Sequence, residues 1–278
     1  KIPSYKFDKG EFLALDEPIA WFGHSSVLMR TCNVTIITDP VFHRASPVSF
    51  LGPKPFPIKK PIVIEDLPEK IDVVLISHDH YDHLDYQSIK KMHDRVGKFL
   101  VPLGVKVHLI KWGVPHEKIE ELDWYEGLEY KGVRFIFAPT RHFSGRRLFS
   151  RDSTLWGSWI IRSETRNMYF SGDGGYSCEF GKIGREYGPF DIAFMENGAY
   201  NTRWKNIHMF PHESVKAARA LNAKLVLPMH WAKFDLSLHP WTDPIERFTR
   251  EAKNNSLRTV TPLVGQVFDI GGNLPQEQ

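Results

Sequence analysis

Ile71-Asp72-Val73-Val74-Leu75-Ile76, followed at once by Ser77-His78-Asp79-His80-Tyr81-Asp82-His83-Leu84, is the stretch on which the reading of this chain turns. The apolar half has the length and β-branched content of a buried strand. The polar half sets three imidazoles and two carboxylates at the C-terminal end of that strand, where α/β sheets collect their ligands. In an extended segment alternate side chains share a face, so His78 and His80 can converge on one ion. Asp82 and His83 are adjacent and diverge unless the chain turns. One loop can therefore feed two ions.

Working outward, three more polar residues sit just past strand-like apolar runs. His142 follows 133–138, Asp173 follows 167–170 and His230 follows 224–229. Any one of them alone would read as an ordinary core or surface residue. Joined to the cluster at His78, they make four strand ends that point metal ligands at one place. Imidazole and carboxylate without cysteine suit zinc, iron or manganese better than calcium or magnesium, which prefer shells made wholly of oxygen. Zinc is the first choice, and mixed His and Asp ligands remain compatible with iron or manganese.

The rest of the composition describes a compact enzyme. The chain has 278 residues, and ligands spread from His78 to His230 argue for a single domain over 1–278 with a sizeable core. No linker, low-complexity tract or solenoid repeat interrupts it. A net charge of +3 and a pI near 8.7 are mild. The basic knots Lys59-Lys60, Lys90-Lys91 and Arg146-Arg147 read as solvated faces, which argues against a nucleic-acid partner. Cys32 and Cys178 form neither a disulfide framework nor a thiolate metal set; each reads as small core filler, in keeping with a reducing, cytoplasmic setting. No apolar run approaches the ~20 residues that span a bilayer, so membrane contact is at most peripheral. The chain opens on Lys1 rather than methionine, as a trimmed chain or one with a removed leader would.

Short apolar runs predict strands at 26–30, 35–38, 73–77, 99–102, 133–138, 154–161, 168–171, 192–195, 225–229, 260–263 and 267–270. Helical spacing over 86–96 places a helix after the metal loop, with His93 on its face rather than at a metal. Pro211 suits a first helical turn, and Asp243-Pro244-Ile245-Glu246 offers an N-cap, an N1 proline and an N3 acid. The pattern fits mixed sheets with helices on their outer faces.

The order His78-x-His80-x-Asp82-His83, His142, Asp173, His230 resembles the metallo-β-lactamase superfamily. That resemblance implies an α+β fold: an αββα sandwich of two mixed sheets with outer helices and metals at one edge. A narrower likeness runs from about Ala20 to Phe248. Trp21-Phe22-Gly23-His24-Ser25-Ser26-Val27, Thr38-Asp39-Pro40-Val41-Phe42, Arg44-Ala45-Ser46-Pro47, Leu51-Gly52-Pro53-Lys54, Glu121-Leu122-Asp123-Trp124, Leu155-Trp156-Gly157-Ser158-Trp159 and Gly188-Pro189-Phe190-Asp191 resemble the N-acyl-phosphatidylethanolamine-hydrolysing phospholipase D family.

The family pattern implies that His78, His80 and His142 hold one zinc, that Asp82, His83 and His230 hold a second, and that Asp173 bridges both. It also implies an active-site role for His208 in Ile207-His208-Met209-Phe210-Pro211, in phosphate contact or leaving-group protonation. It places His24 and Asp39 near the metals, His24 as a candidate substrate contact and Asp39 as a carboxylate able to orient a ligand imidazole. It makes a homodimer an expectation. The family's mammalian member has Asn where this chain has Asp79, which reads as structural. It has a different dipeptide at Glu196-Asn197, where Glu196 could change the charge of the site and hence the substrate. Tyr200, Trp204 and His239 lie close in sequence to these residues and are candidate substrate contacts. Phe143, Trp231 and Trp241 share that proximity, although aromatic residues are mostly core material.

Two close divalent ions lower the pKa of a shared water from ~15.7 toward ~7 and clamp the oxygens of a displacement. The implied reaction is phosphodiester hydrolysis of an N-acyl-phosphatidylethanolamine-like lipid, with a metal-bridging hydroxide attacking phosphorus and Asp82 or Asp173 able to shuttle the proton of the water that forms it. Related chains resembling ascorbate-phosphate lactonase use nearly the same ligands on a carbonyl carbon, so a lactone or carboxyl-ester hydrolase is the alternative. A purely structural metal site fits least, because such sites are closed and four-coordinate, usually with cysteine.

Overall fold

The computed structural model of the chain describes residues 1–46, 52–53, 55–146, 150–272 and 274–275; Pro47, Leu51, Lys54 and Arg147 of the stretches above lie outside them. Among the described residues the strands are β1 (Pro18–Trp21), β2 (Val27–Thr31), β3 (Val34–Thr38), β4 (Ile71–Leu75), β5 (Val96–Pro102), β6 (Ile119–Leu122), β7 (Gly127–Tyr130), β8 (Val133–Ala138), β9 (Ser158–Arg162), β10 (Asn167–Phe170), β11 (Ile192–Glu196), β12 (Val226–Met229) and β13 (Val267–Asp269). The α-helices are α1 (Lys9–Ala14), α2 (Tyr86–Met92), α3 (Lys106–Lys111), α4 (Glu179–Glu186), α5 (Pro211–Ala220) and α6 (Asp243–Asn254). The strands form two mixed sheets, ordered β13-β1-β2-β3-β4-β5-β6 and β12-β11-β10-β9-β8-β7.

The period-2 alternation of side chains explains the layers. On β4, Val73 and Leu75 enter the core between the sheets, while Val74 packs outward with Ile89 and Met92 of α2. On β10 and β11, Met168, Phe170, Ile192 and Phe194 face that same inner core, and Tyr169, Ala193 and Met195 pack outward with Val215 of α5 and Phe248 of α6. Each central strand is thus covered on both faces, which is why it reads as a continuous apolar run. The expected α+β sandwich is the observed one.

Several expected boundaries move. The helix after the metal loop stops at Met92, one 3₁₀ turn covers His93–Arg95, and Val96 opens β5 opposite Ile71. Pairing with a central strand outweighs the helical spacing of Val96. Residues 260–263 form no strand; Pro262 removes a ladder donor there, and only the Val260 N–H reaches Val226 O, at 2.9 Å. The short β1 lies outside the runs that read as strands, and β6 and β7 carry glutamates, which are depleted in strands. Pro211 does open α5, but α6 starts at Asp243 with Thr242 as its cap. That frees the Asp243 carboxylate to accept the Tyr200 hydroxyl. No helix among the described residues is long and apolar enough to cross a membrane.

Candidate metal centre

Strand direction brings the ligand candidates together. β3 and β4 run parallel, as do β10, β11 and β12, and β8 is antiparallel to β9, itself antiparallel to β10. The C-terminal ends of β3, β4, β8, β10, β11 and β12 therefore deliver Asp39, His78 to His83, His142, Asp173, Glu196 and His230 to one edge of the sandwich. His24, Asp39, Ala199, His230 and Ala232 all adopt positive φ, from 35° to 68°. Non-glycine residues rarely do so, and such strain collects where a site is over-determined by its surroundings.

Two groups of ligand atoms result. In the first, His78 Nε2 and His142 Nε2 lie 2.9 and 3.3 Å from His80 Nδ1. In the second, His24, Asp82, His83 and His230 converge, with His24 Nε2 2.9 Å from Asp82 Oδ2. Asp173 lies between them: its Oδ2 is 2.9 Å from His230 Nε2, 3.1 Å from His83 Nε2, 3.9 Å from His142 Nε2 and 4.0 Å from His78 Nε2. Asp173 Oδ1 is buried with no hydrogen-bond partner, and His83 Nε2 and His230 Nε2, also buried, meet the carboxylates around them at short distance without a well-aligned hydrogen bond. Buried polar atoms are ordinarily satisfied, so this convergence of bare imidazole nitrogens and carboxylate oxygens fits a divalent cation.

The electrostatics agree. Burial holds the imidazoles of His78, His80 and His142 below the usual histidine range, in the neutral form that ligates metal. Burial also pulls His83 and His230 down, but the carboxylates beside them, Asp173 foremost, outweigh it. His83 ends well above the ordinary value and His230 is pushed up to about 10. Burial raises Asp82 and Asp173, yet His83 and His230 hold both well below the carboxylate range. A cation bound here would take over the charge that those two protonated rings supply and release their protons.

The neighbours of the ligands are equally defined. Asp39 Oδ2 lies 2.7 Å from His83 Nδ1, and the same carboxylate accepts from Ser77 N at 2.8 Å and Ser77 Oγ at 2.5 Å. Asp79 accepts from Gly145 N at 2.7 Å and ties the loop to the segment after His142, the structural place expected of it. Glu196 is buried, with Oε1 2.7 Å from His208 Nδ1. Burial pushes its carboxyl up against the pull of His208.

A cavity of 340 Å³ opens over these groups, lined by His80, Asp82, His142, Asp173, His208 and His230 together with Phe143, Trp204, Ile207 and Leu236. Of the four expected substrate contacts only Trp204 stands on its wall. His24 is 1% exposed, its ring 4.0 Å from that of His230, because Asp82 draws it under the site. Tyr200 is buried by Phe210 and His239, and His239 stacks on it at 4.4 Å beside a separate cavity of only 20 Å³. Trp231 and Trp241 stack on each other beside that smaller cavity.

Two further expectations are corrected. Arg146 is no solvated knot: its Nη1 donates to the carbonyls of Asp79 and Leu84, both at 2.7 Å, and its guanidinium lies 4.1 Å from the Tyr81 ring. It clamps the metal loop, and nothing in a lone arginine four residues past His142 announces that. The cysteines do not fill the core. Cys32 is half-buried in the β2–β3 turn and Cys178 is exposed before α4. Ser77, which opens the cluster, fastens Asp39 to the loop, a role its residue type alone does not announce.

Relatives share this chain's sequence over most of its length. An uncharacterised protein of Mycobacterium tuberculosis is 41% identical over 259 residues, 91% of this chain and 69% of its own. The N-acyl-phosphatidylethanolamine-hydrolyzing phospholipase D 1 of Caenorhabditis elegans is 36% identical over 78% of this chain, which spans 64% of the worm protein. Its mitochondrial namesake from Saccharomyces cerevisiae is 32% identical, and this chain spans 50% of it. Igni18, a metallo hydrolase of Ignicoccus hospitalis, superposes with a TM-score of 0.69 at 21% identity, over 91% of this chain and 97% of that one, a likeness of fold. The family model for the beta-lactamase superfamily domain matches residues 34–231, the span that holds Asp39 and every ligand candidate from His78 to His230. The chain therefore belongs to the beta-lactamase superfamily.

Proposed function

We propose that the protein is a metal-dependent hydrolase, one domain over 1–278, that cleaves phosphodiesters of N-acyl-phosphatidylethanolamine-like lipids as a phospholipase D does. The observation that carries this reading is the cavity whose lining joins the His and Asp groups to the apolar side chains of Phe143, Trp204, Ile207 and Leu236. Such a site suits an anionic phosphodiester joined to an apolar chain. The names of the worm and yeast relatives support the same choice.

His78, His80 and His142 would hold one ion and Asp82, His83 and His230 a second, with Asp173 shared and zinc the first choice. Bound there, the ions supply Lewis acidity toward a phosphoryl oxygen and lower the pKa of a water from ~15.7 toward ~7. Asp82 and Asp173 can take the proton of the attacking water. His208, on the cavity lining, contacts the phosphate or protonates the departing oxygen. Trp204 packs against the apolar part of the substrate.

The test offers zinc-loaded protein an N-acyl-phosphatidylethanolamine, bis-nitrophenyl phosphate and a panel of lactones under identical conditions. Turnover of the two phosphodiesters is expected; turnover of lactones alone overturns the reading. His80→Ala and Asp173→Ala should lose bound metal and activity together. His208→Ala should keep its metal and lose rate, and unchanged kinetics would remove it from the mechanism.

A further inference from the structure

β11 ends in a carboxylate that belongs to neither group of ligand candidates. Glu196 is 0% exposed, and each of its oxygens meets one partner: Oε1 lies 2.7 Å from His208 Nδ1, and Oε2 accepts the Met209 N–H at 3.1 Å. Its backbone is held as firmly, since Glu196 N donates to Ser171 Oγ and Ser214 Oγ donates to Glu196 O, both at 2.8 Å. A buried carboxylate is costly unless both oxygens are bonded, and an apolar residue would fill the space without that cost. What Glu196 adds to the site is therefore what its oxygens hold.

The Met209 N–H can only donate and takes Oε2, and with Glu196 ionised Oε1 can only accept as well, which puts the proton of the short contact on His208 Nδ1. The rings of His142, at 5.3 Å, and His230, stacked at 5.1 Å, fix the plane of His208. Packing does not choose between tautomers, whereas a hydrogen bond does. We infer that Glu196 is a positioning residue: its bond to the Nδ1–H leaves His208 Nε2 as the nitrogen that faces substrate in the cavity the ring lines, free to take up and hand on the proton that phosphate contact or leaving-group protonation requires. The same bond keeps Nδ1, 3.9 Å from Asp173 Oδ2, from serving as a ligand with Asp173 and His230. The kinetic part of the inference rests on the phosphodiesterase reading; the tautomer does not.

Glu196→Gln is a nearly isosteric test. The Met209 N–H claims the amide oxygen, so the amide NH₂ faces His208 Nδ1, which must then accept, and the proton moves to Nε2. The experiment records long-range ¹H–¹⁵N spectra of zinc-loaded full chain labelled with ¹⁵N-histidine, the His208 signals being those lost in His208→Gln. Protonated Nδ1 is expected in the unsubstituted protein, and an Nε2–H tautomer in Glu196→Gln. Zinc content and KM should hold while kcat on an alkyl phosphodiester falls ~10- to 100-fold, the usual loss on removing such a supporting carboxylate. An Nε2–H tautomer or a zinc-bound Nδ1 at His208 in the unsubstituted protein overturns the inference. So does a Glu196→Gln variant with unchanged tautomer and kcat, or one that loses zinc in step with rate. If the unsubstituted protein cleaves no phosphodiester, the proposed function fails, and the spectrum alone still decides the role of Glu196.

Discussion

Asp39 shows how much of this centre is carried by residues that touch no substrate. Its carboxylate takes the His83 Nδ1 side and two donors of Ser77, which aims His83 Nε2 at Asp173. Partners of this kind set the tautomer and basicity of a ligand imidazole. Asp39→Ala should weaken metal binding ~10- to 100-fold in chelator competition, and an unchanged affinity would deny it that role. Lys233 makes a second residue-scale prediction. Its ammonium is buried, with Phe22 O at 3.2 Å and the Phe42 ring at 5.2 Å, and burial lowers its pKa to about 7. A lysine depressed on folding makes the unfolded chain bind more protons between the folded and unfolded pKa values, so stability rises with pH across that window. Lys233→Met should therefore stabilise the protein by a few kcal/mol at and below pH ~7, and the gain should fade by pH ~10.5. Denaturant midpoints of both proteins at several pH values measure it, and a pH-independent difference would refute it.

At the scale of elements, the C-terminal ends of β11 and β12 must pass within contact of each other. A Cβ on Gly198 would lie 1.9 Å from His230 O, so only glycine lets the two chain segments close. Glu196 and Met229 pair at the end of that ladder, and His230 follows with φ of 68°. Gly198→Ala should shift His230 and cost metal affinity more than fold. The expected outcome is less bound zinc with a native far-UV spectrum. Retained zinc would show that the strand ends can give way. Propensity read Val96 as helical and missed β6 and β7, because pairing in a sheet is decided by neighbours distant in sequence.

For the whole molecule, the apolar cores form between and outside the sheets, apart from the polar edge that carries the ligand candidates. Chelation should therefore abolish activity and lower Tm by the lost binding energy while leaving secondary structure intact. Far-UV circular dichroism and thermal melts with and without chelator check this. Unfolding of the metal-free chain at room temperature would point instead to a structural site.

The local sequence determined the donor types, their order and their place at strand ends, because a two-residue period and short apolar runs are properties of neighbouring residues. It also pointed to Asp39, His208 and Glu196 through family likeness. Only the closed sandwich decided that His24 lies under the site rather than in the cavity, that Tyr200 and His239 pack on each other away from it, that Arg146 clamps the loop, and that Glu196 bonds His208. These contacts join residues drawn from strand ends and loops of both sheets. No local pattern encodes which side chains meet when two sheets close face to face, since burial, packing and hydrogen-bond satisfaction are settled only at that point.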